Sequence, residues 1–185
     1  MDAELDALRA SAAKLGGVRV LAIDGPSGVG KSTLAAEVVS ALRAAGASVE
    51  LVASDDFATW ADPVSWWPCL VSGVLEPLSL GRPGRYRKMV WADRVPRLGP
   101  WVDVAVPEIL VLEGVSTGRA SMRPALSRLW WVDGLSPAEL LERAVARDGE
   151  ADRGSLSEWQ AFERGWFTVD NTRLHADHTV LRAFR

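Results

Sequence analysis

Lys31 and Ser32 close the run Gly25-Pro26-Ser27-Gly28-Val29-Gly30, which follows an apolar segment over 18–23 and its terminal Asp24. The spacing glycine, four residues, glycine, lysine, serine is that of a P-loop, whose backbone N–H groups curl around the α- and β-phosphates of a nucleotide. A helix starting at this loop adds its orphan amides and the positive end of its dipole. Lys31 is then placed to reach the β- and γ-phosphates, and the Ser32 hydroxyl to ligate Mg²⁺. Gly25, Ser27, Gly28, Val29, Gly30, Lys31, Ser32 and Thr33 form the expected nucleotide-binding set, for ATP with Mg²⁺.

Three further groups of residues carry chemistry. Asp55 follows a second strand-like segment, 49–53, and strand ends in open α/β sheets face the ligand crevice. Phosphoryl transfer to an alcohol needs a carboxylate that orients the hydroxyl and takes its proton, and Asp55 is the candidate. Its neighbour Asp56 reads as a helix cap. Glu113 ends the apolar run 109–112, the Walker-B arrangement in which a carboxylate holds Mg²⁺ or its waters. Arg143 and Arg147, four apart, share one helix face, and Arg153 follows in a charged, glycine-bounded loop. Such a segment closes over a nucleotide and brings guanidinium groups to the transferring phosphate. No NKxD or DxxG segment marks a GTPase, and no LSGGQ segment marks an ABC ATPase.

The elements that must position these groups alternate strand and helix, the pattern of an α/β fold. Strands are expected at 18–23, 49–53, 109–112, 129–132 and 178–181, enough for a doubly wound, mainly parallel five-stranded sheet. Helices are expected at 3–15, 32–45, 136–147 and about 155–168. The stretch 58–106, dense in Trp, Pro, Gly and Arg, reads as a helix near 62–75 followed by an irregular hairpin-like insertion. Trp60, Trp66, Trp67, Trp91 and Trp101 are expected there as packing residues. The whole, 1–185, reads as one domain with a helical lid at about 143–156.

The 185 residues carry a net charge of −3. That balance lacks the basic footprint of a nucleic-acid binder and points to small-molecule partners. A single cysteine, Cys69, forms no internal disulfide and is expected as a small buried hydrophobe. With no signal peptide and no apolar run of membrane-spanning length, a cytoplasmic protein without a membrane partner is expected. A homo-oligomer is left open.

Together, IDGPSGVGKST, SDDF, LEGV and RAVARD resemble the uridine kinase-like branch of P-loop kinases, with phosphoribulokinase and pantothenate kinase among its members. The resemblance implies a phosphotransferase with Asp55 as catalytic base, Glu113 as metal-associated carboxylate and Arg147 as lid arginine. Asp55 and Phe57, with Arg85 and Tyr86 in the insertion, are the expected acceptor-binding residues, and a nucleoside or similar metabolite is the leading acceptor. Two alternatives stand beside this reading. A nucleoside monophosphate kinase shares IDGPSG and would use Arg82, Arg85, Arg87 and Lys88 at the acceptor phosphate. A nucleotide-binding regulatory protein is suggested by Ala58 and Val90. Lys31→Ala is expected to abolish phosphoryl transfer in an ADP-release assay, because the triphosphate loses the charge that stabilises its developing negative oxygens.

Overall fold

The computed structural model describes residues 1–60, 63–65, 67–92 and 95–182. Its elements run α1 (Asp2–Ala10), β1 (Arg19–Asp24), α2 (Lys31–Ala44), β2 (Val49–Ala53), α3 (Trp67–Leu70), α4 (Glu76–Ser79), β3 (Gly84–Ala92), β4 (Val95–Val104), β5 (Ile109–Glu113), β6 (Arg128–Asp133), α5 (Pro137–Asp148), α6 (Arg153–Asp170) and β7 (His178–Leu181). Five strands form one parallel sheet in the order β2-β5-β1-β6-β7, as the alternation predicted. The reason for the near-continuous apolar runs is plain in the packing. Val20, Ala22, Leu110, Leu112 and Leu129 point into one core, while Leu21, Ile23, Ile109, Val111 and Trp130 point into the other. A sheet buried on both faces leaves no room for polar alternation.

The P-loop, Asp55 and Glu113 are brought to one edge because parallel strands all end on the same side. β1 is central, so the loop that follows it lies between the ends of β5 and β6. That loop is anchored by Asp24, which is fully buried. Its carboxylate accepts the N–H of Gly25 at 2.7 Å, of Ser116 at 3.1 Å and of Gly118 at 2.8 Å. The last two belong to the connection after β5. Gly25 itself has φ +147°, and a Cβ there would lie 2.5 Å from the Val132 carbonyl oxygen, so only glycine fits beside β6.

Three local expectations are corrected. The first helix stops at Ala10 rather than running to 15: the Ser11 hydroxyl bonds the Leu8 carbonyl, and a left-handed Gly16 folds Leu15 back to bridge Val18. Leu15 thereby enters the core on the other face of the sheet from Leu5 and Leu8. The helix near 62–75 is broken into α3 and α4 flanking five π-helical residues, Val71–Leu75, and the hairpin after it is two long antiparallel strands with one bulge between Arg87 and Met89. Cys69 is exposed, whereas its neighbour in α3, Leu70, is buried. Trp66 lies outside the described residues.

Burial pushes the Asp24 carboxyl up to about 7, against the pull of its three amide donors and of Lys31. In the unfolded chain it would titrate near 3.8. The native state therefore holds a proton that the unfolded state has lost between those values, and the Asp24 contribution to stability falls as pH rises through that window. The difference in urea unfolding free energy between wild type and Asp24→Asn is expected to shrink from pH 4 to pH 7. A difference that stays flat would mean that Asp24 is ionised in the fold throughout.

Candidate active site

The loop that follows β1 is shaped by two glycines in the left-handed region, Gly28 at φ +85° and Gly30 at φ +97°. A Cβ on Gly28 would sit 2.6 Å from the Leu140 carbonyl oxygen, so α5 packs directly on the loop. Gly30 is the N-cap of α2, and Lys31 opens the helix. Lys31 is buried, and its ammonium donates to the Pro26 carbonyl at 3.1 Å, curling back over the loop. The Ser32 hydroxyl donates to Glu113 Oε1 at 3.0 Å.

Around these groups lies a cavity of about 330 Å³, lined by Ser27, Gly28, Gly30, Lys31, Ser32, Thr33, Asp55, Glu113, Gly114, Arg143 and Arg147. Its walls carry backbone amides, Lys31 and two arginines, as a polyphosphate requires. Glu113 is buried, and that burial raises its carboxyl pKa against the favourable field of Lys31. A divalent cation there would relieve the cost of a buried charge. Ser32 and Glu113 offer only oxygen, and no group of three or more His, Cys, Asp or Glu side chains suited to a metal is found among the described residues. Two protein oxygens completed by phosphate and water suit Mg²⁺, which is normally held by one or two side chains. Gly114, at φ +126°, lets β5 end tightly against Ser54, whose hydroxyl oxygen would be 1.9 Å from any Cβ.

A second cavity of about 560 Å³ adjoins the first, and Ser27, Asp55 and Arg147 line both. Its other walls include Trp60, Trp91, Trp159, Lys88, Met89 and Asp152. The indole of Trp60 meets Trp91 edge-on at 5.0 Å and Trp159 at 5.7 Å. These tryptophans therefore pack on one another and also face the cavity.

Asp55 and Asp56 sit in one 3-10 turn directly after β2, and this turn separates them: Asp55 is exposed and lines both cavities, whereas Asp56 is buried and borders only the second. Asp56 is no helix cap. It accepts the Tyr86 hydroxyl at 2.6 Å and the Lys88 ammonium at 2.7 Å. Burial and the bond to Asp56 hold the Tyr86 phenol well above its ordinary pKa, so it remains a donor. Phe57 is buried against the Tyr86 ring at 4.7 Å. Phe57 and Tyr86 thus stand behind the second cavity and brace Asp56.

The arginines divide. Arg143 and Arg147 both line the first cavity, and the Arg147 fork grips Asp148 through two bonds of 2.7 and 2.6 Å, which raises its pKa further. Arg153, expected at the nucleotide, lines neither cavity: it is bound on its own surface by Glu142 and Glu150. Arg85, expected at the acceptor, points outward, paired with Asp103 at 3.0 Å and stacked 4.8 Å from the Trp101 ring.

Sequence reading missed Trp159, Gln160 and Glu163 of α6. Leu156, Gln160 and Glu163 are its buried residues, spaced i, i+4, i+7. The available signal was two polar residues on a stripe that should be apolar.

No family model and no curated protein sequence matches this chain. Solved structures do. A protein assigned as a possible uridine kinase of Bacillus stearothermophilus superposes with a TM-score of 0.68 at 19% identity, covering 96% of this chain and 95% of that one. A protein assigned as a fructose transport system kinase of Silicibacter sp. TM1040 gives 0.61 at 19% identity, over 96% and 97%. A D-glycerate 3-kinase of Cryptococcus neoformans gives 0.56 at 12% identity, over 92% and 83%. The chain shares the P-loop kinase fold of these proteins, a mainly parallel five-stranded sheet with flanking helices. No helix among the described residues is long and apolar enough to cross a membrane.

The different burial of the two aspartates has a direct consequence. Asp56→Asn is expected to lower stability by about 1–3 kcal/mol, because a charge-assisted bond is lost and an amide replaces a carboxylate between two donors. Asp55→Asn is expected to leave the thermal unfolding midpoint near that of wild type. Differential scanning calorimetry of the two variants checks both; equal midpoints would contradict the bracing role of Asp56.

Proposed function

We propose that the protein is an ATP- and Mg²⁺-dependent kinase that transfers the γ-phosphoryl group to a hydroxyl of a small metabolite. One observation carries this reading: Asp55 lines both the cavity around the glycine loop and Lys31 and the adjoining, indole-walled cavity. A carboxylate at that boundary can accept the proton of an acceptor hydroxyl as its oxygen attacks the γ-phosphorus and the bond to the β-phosphate oxygen breaks. Lys31 and Arg147 would offset the charge that spreads over the transferring oxygens. Ser32 and Glu113 would hold Mg²⁺, which would supply further neutralisation of phosphate charge.

The acceptor is read as an alcohol without a phosphate. Among the described residues, the cations lining the second cavity are Lys88 and Arg147, each paired with an aspartate. Arg85 faces outward, and Arg87 donates to the Gly99 and Leu98 carbonyls of its own hairpin. The cluster that a nucleoside monophosphate kinase would need is thus not assembled around this cavity. The named compounds of the similar proteins, uridine, fructose and D-glycerate, all carry hydroxyls. Indole walls favour an acceptor with a ring or other flat apolar surface. A cytosolic setting, where ATP is available, fits this activity.

The experiment is ADP release measured across nucleosides, nucleoside monophosphates, pantothenate-like alcohols and phosphosugars. Turnover is expected with an unphosphorylated alcohol, and Asp55→Asn should lower it by ~10²–10⁴ while ATP binding survives. Turnover confined to monophosphates would replace this reading with the nucleotide kinase one, and nucleotide binding without any acceptor would favour a regulatory protein.

A further inference from the structure

We propose that Glu163 is a positioning residue for the phosphate-binding loop: from α6 it fixes Ser27, the loop residue standing between the two cavities, and so holds the loop ready for nucleotide. The inference rests on the kinase reading for what the loop binds. Its own basis is a set of contacts to one residue. One oxygen of the Glu163 carboxylate accepts the Ser27 N–H at 2.9 Å and the other accepts the Ser27 hydroxyl. Gln160, one turn earlier, donates to the Ser27 carbonyl at 3.5 Å. Both backbone groups and the side chain of Ser27 are therefore held from a single helix, distant in sequence.

Glu163 is 1% exposed. Burying a carboxylate costs free energy, and a tether for α6 could have been apolar. Its oxygens are instead spent on a loop N–H and O–H; burial raises the Glu163 carboxyl pKa, and the Lys31 ammonium and the Ser27 donors oppose that rise. The helix turn that carries Gln160 and Glu163 also presents Trp159, whose ring packs on Trp60 in the wall of the second cavity. Ser27 is thus fixed relative to the wall against which the acceptor would sit. A small displacement of a positioned group costs a large factor, so a loop residue on this boundary needs such a hold.

The test is titration of the full-length protein with the β,γ-imido analogue of ATP and Mg²⁺, with the thermal unfolding midpoint of each variant measured alongside. Glu163→Ala is expected to weaken analogue binding by about tenfold or more, in line with losses seen when an outer partner of a ligand-holding group is removed. Glu163→Gln still offers an acceptor for the N–H and a group for the hydroxyl, and should stay within about threefold of wild type. Glu163→Asp keeps the charge but draws the carboxylate back from Ser27, and should weaken binding about fivefold or more with little change in midpoint. A merely structural tether predicts a lower midpoint and unchanged affinity in the folded protein, and that result overturns the proposal, as does Glu163→Asp binding like wild type. If Glu163→Ala does not fold, the Asp and Gln variants decide. Wild type that fails to bind the analogue would bring down the kinase reading and this proposal together; wild type that binds, with variants that bind equally, brings down this proposal alone.

Discussion

A buried carboxylate that must find donors organises this molecule. Asp24 ends the central strand with no access to water, and backbone amides of Gly25, Ser116 and Gly118 answer it. Because two of those amides lie beyond β5, the bond set fixes where the P-loop starts and where the chain goes after Glu113. Glu113 and the amides of the glycine loop are thus located by one group. Ser116, at φ +69°, adopts the left-handed backbone that a non-glycine residue rarely takes, in the same stretch that turns its N–H to Asp24.

The second organising element is α6. One face of it buries Leu156, Gln160 and Glu163, and near its far end Asp170 accepts the Ala120 N–H and pairs with Arg123. Trp166 on the same helix lies 4.9 Å from the Arg119 guanidinium, which also stacks 4.6 Å from Trp67. Through Arg119 the helix reaches α3, and through Trp159 it reaches Trp60. Among the described residues β3 and β4 pair only with each other, so the segment between β2 and β5 is held to the sheet by its apolar core residues and by these aromatic and cation–π contacts rather than by strand pairing.

What the sequence reveals follows what is local. The strand runs 49–53 and 178–181 match the observed strands residue for residue, because apolar runs bounded by turns have few other uses. Gly25, Gly30, Lys31 and Ser32 announce their loop because their spacing encodes a local backbone path. Arg85 and Arg153 were misplaced because a basic residue's partner depends on tertiary neighbours: Asp103 across a hairpin in one case, Glu142 on the preceding helix in the other. Asp55 and Asp56 are adjacent and chemically identical, and only the 3-10 turn decides which one is covered. Glu163 was hidden for the complementary reason, since a glutamate in an amphipathic helix ordinarily faces water.

The sheet's connectivity has a consequence for how this protein comes into being. Arg19 lies beside Ile109, and Leu21 beside Arg128, so the central strand finds both its neighbours only after a long excursion of chain. Such pairings must overcome loop-closure entropy before any contact rewards them, and they slow folding. The hairpin β3–β4 is local and has no such delay. On a ribosome, the glycine loop would emerge before Ser116 and Gly118 can anchor it and before Glu163 can hold Ser27. A nascent chain thus carries the glycine-loop motif before it has the residues that hold that loop in shape.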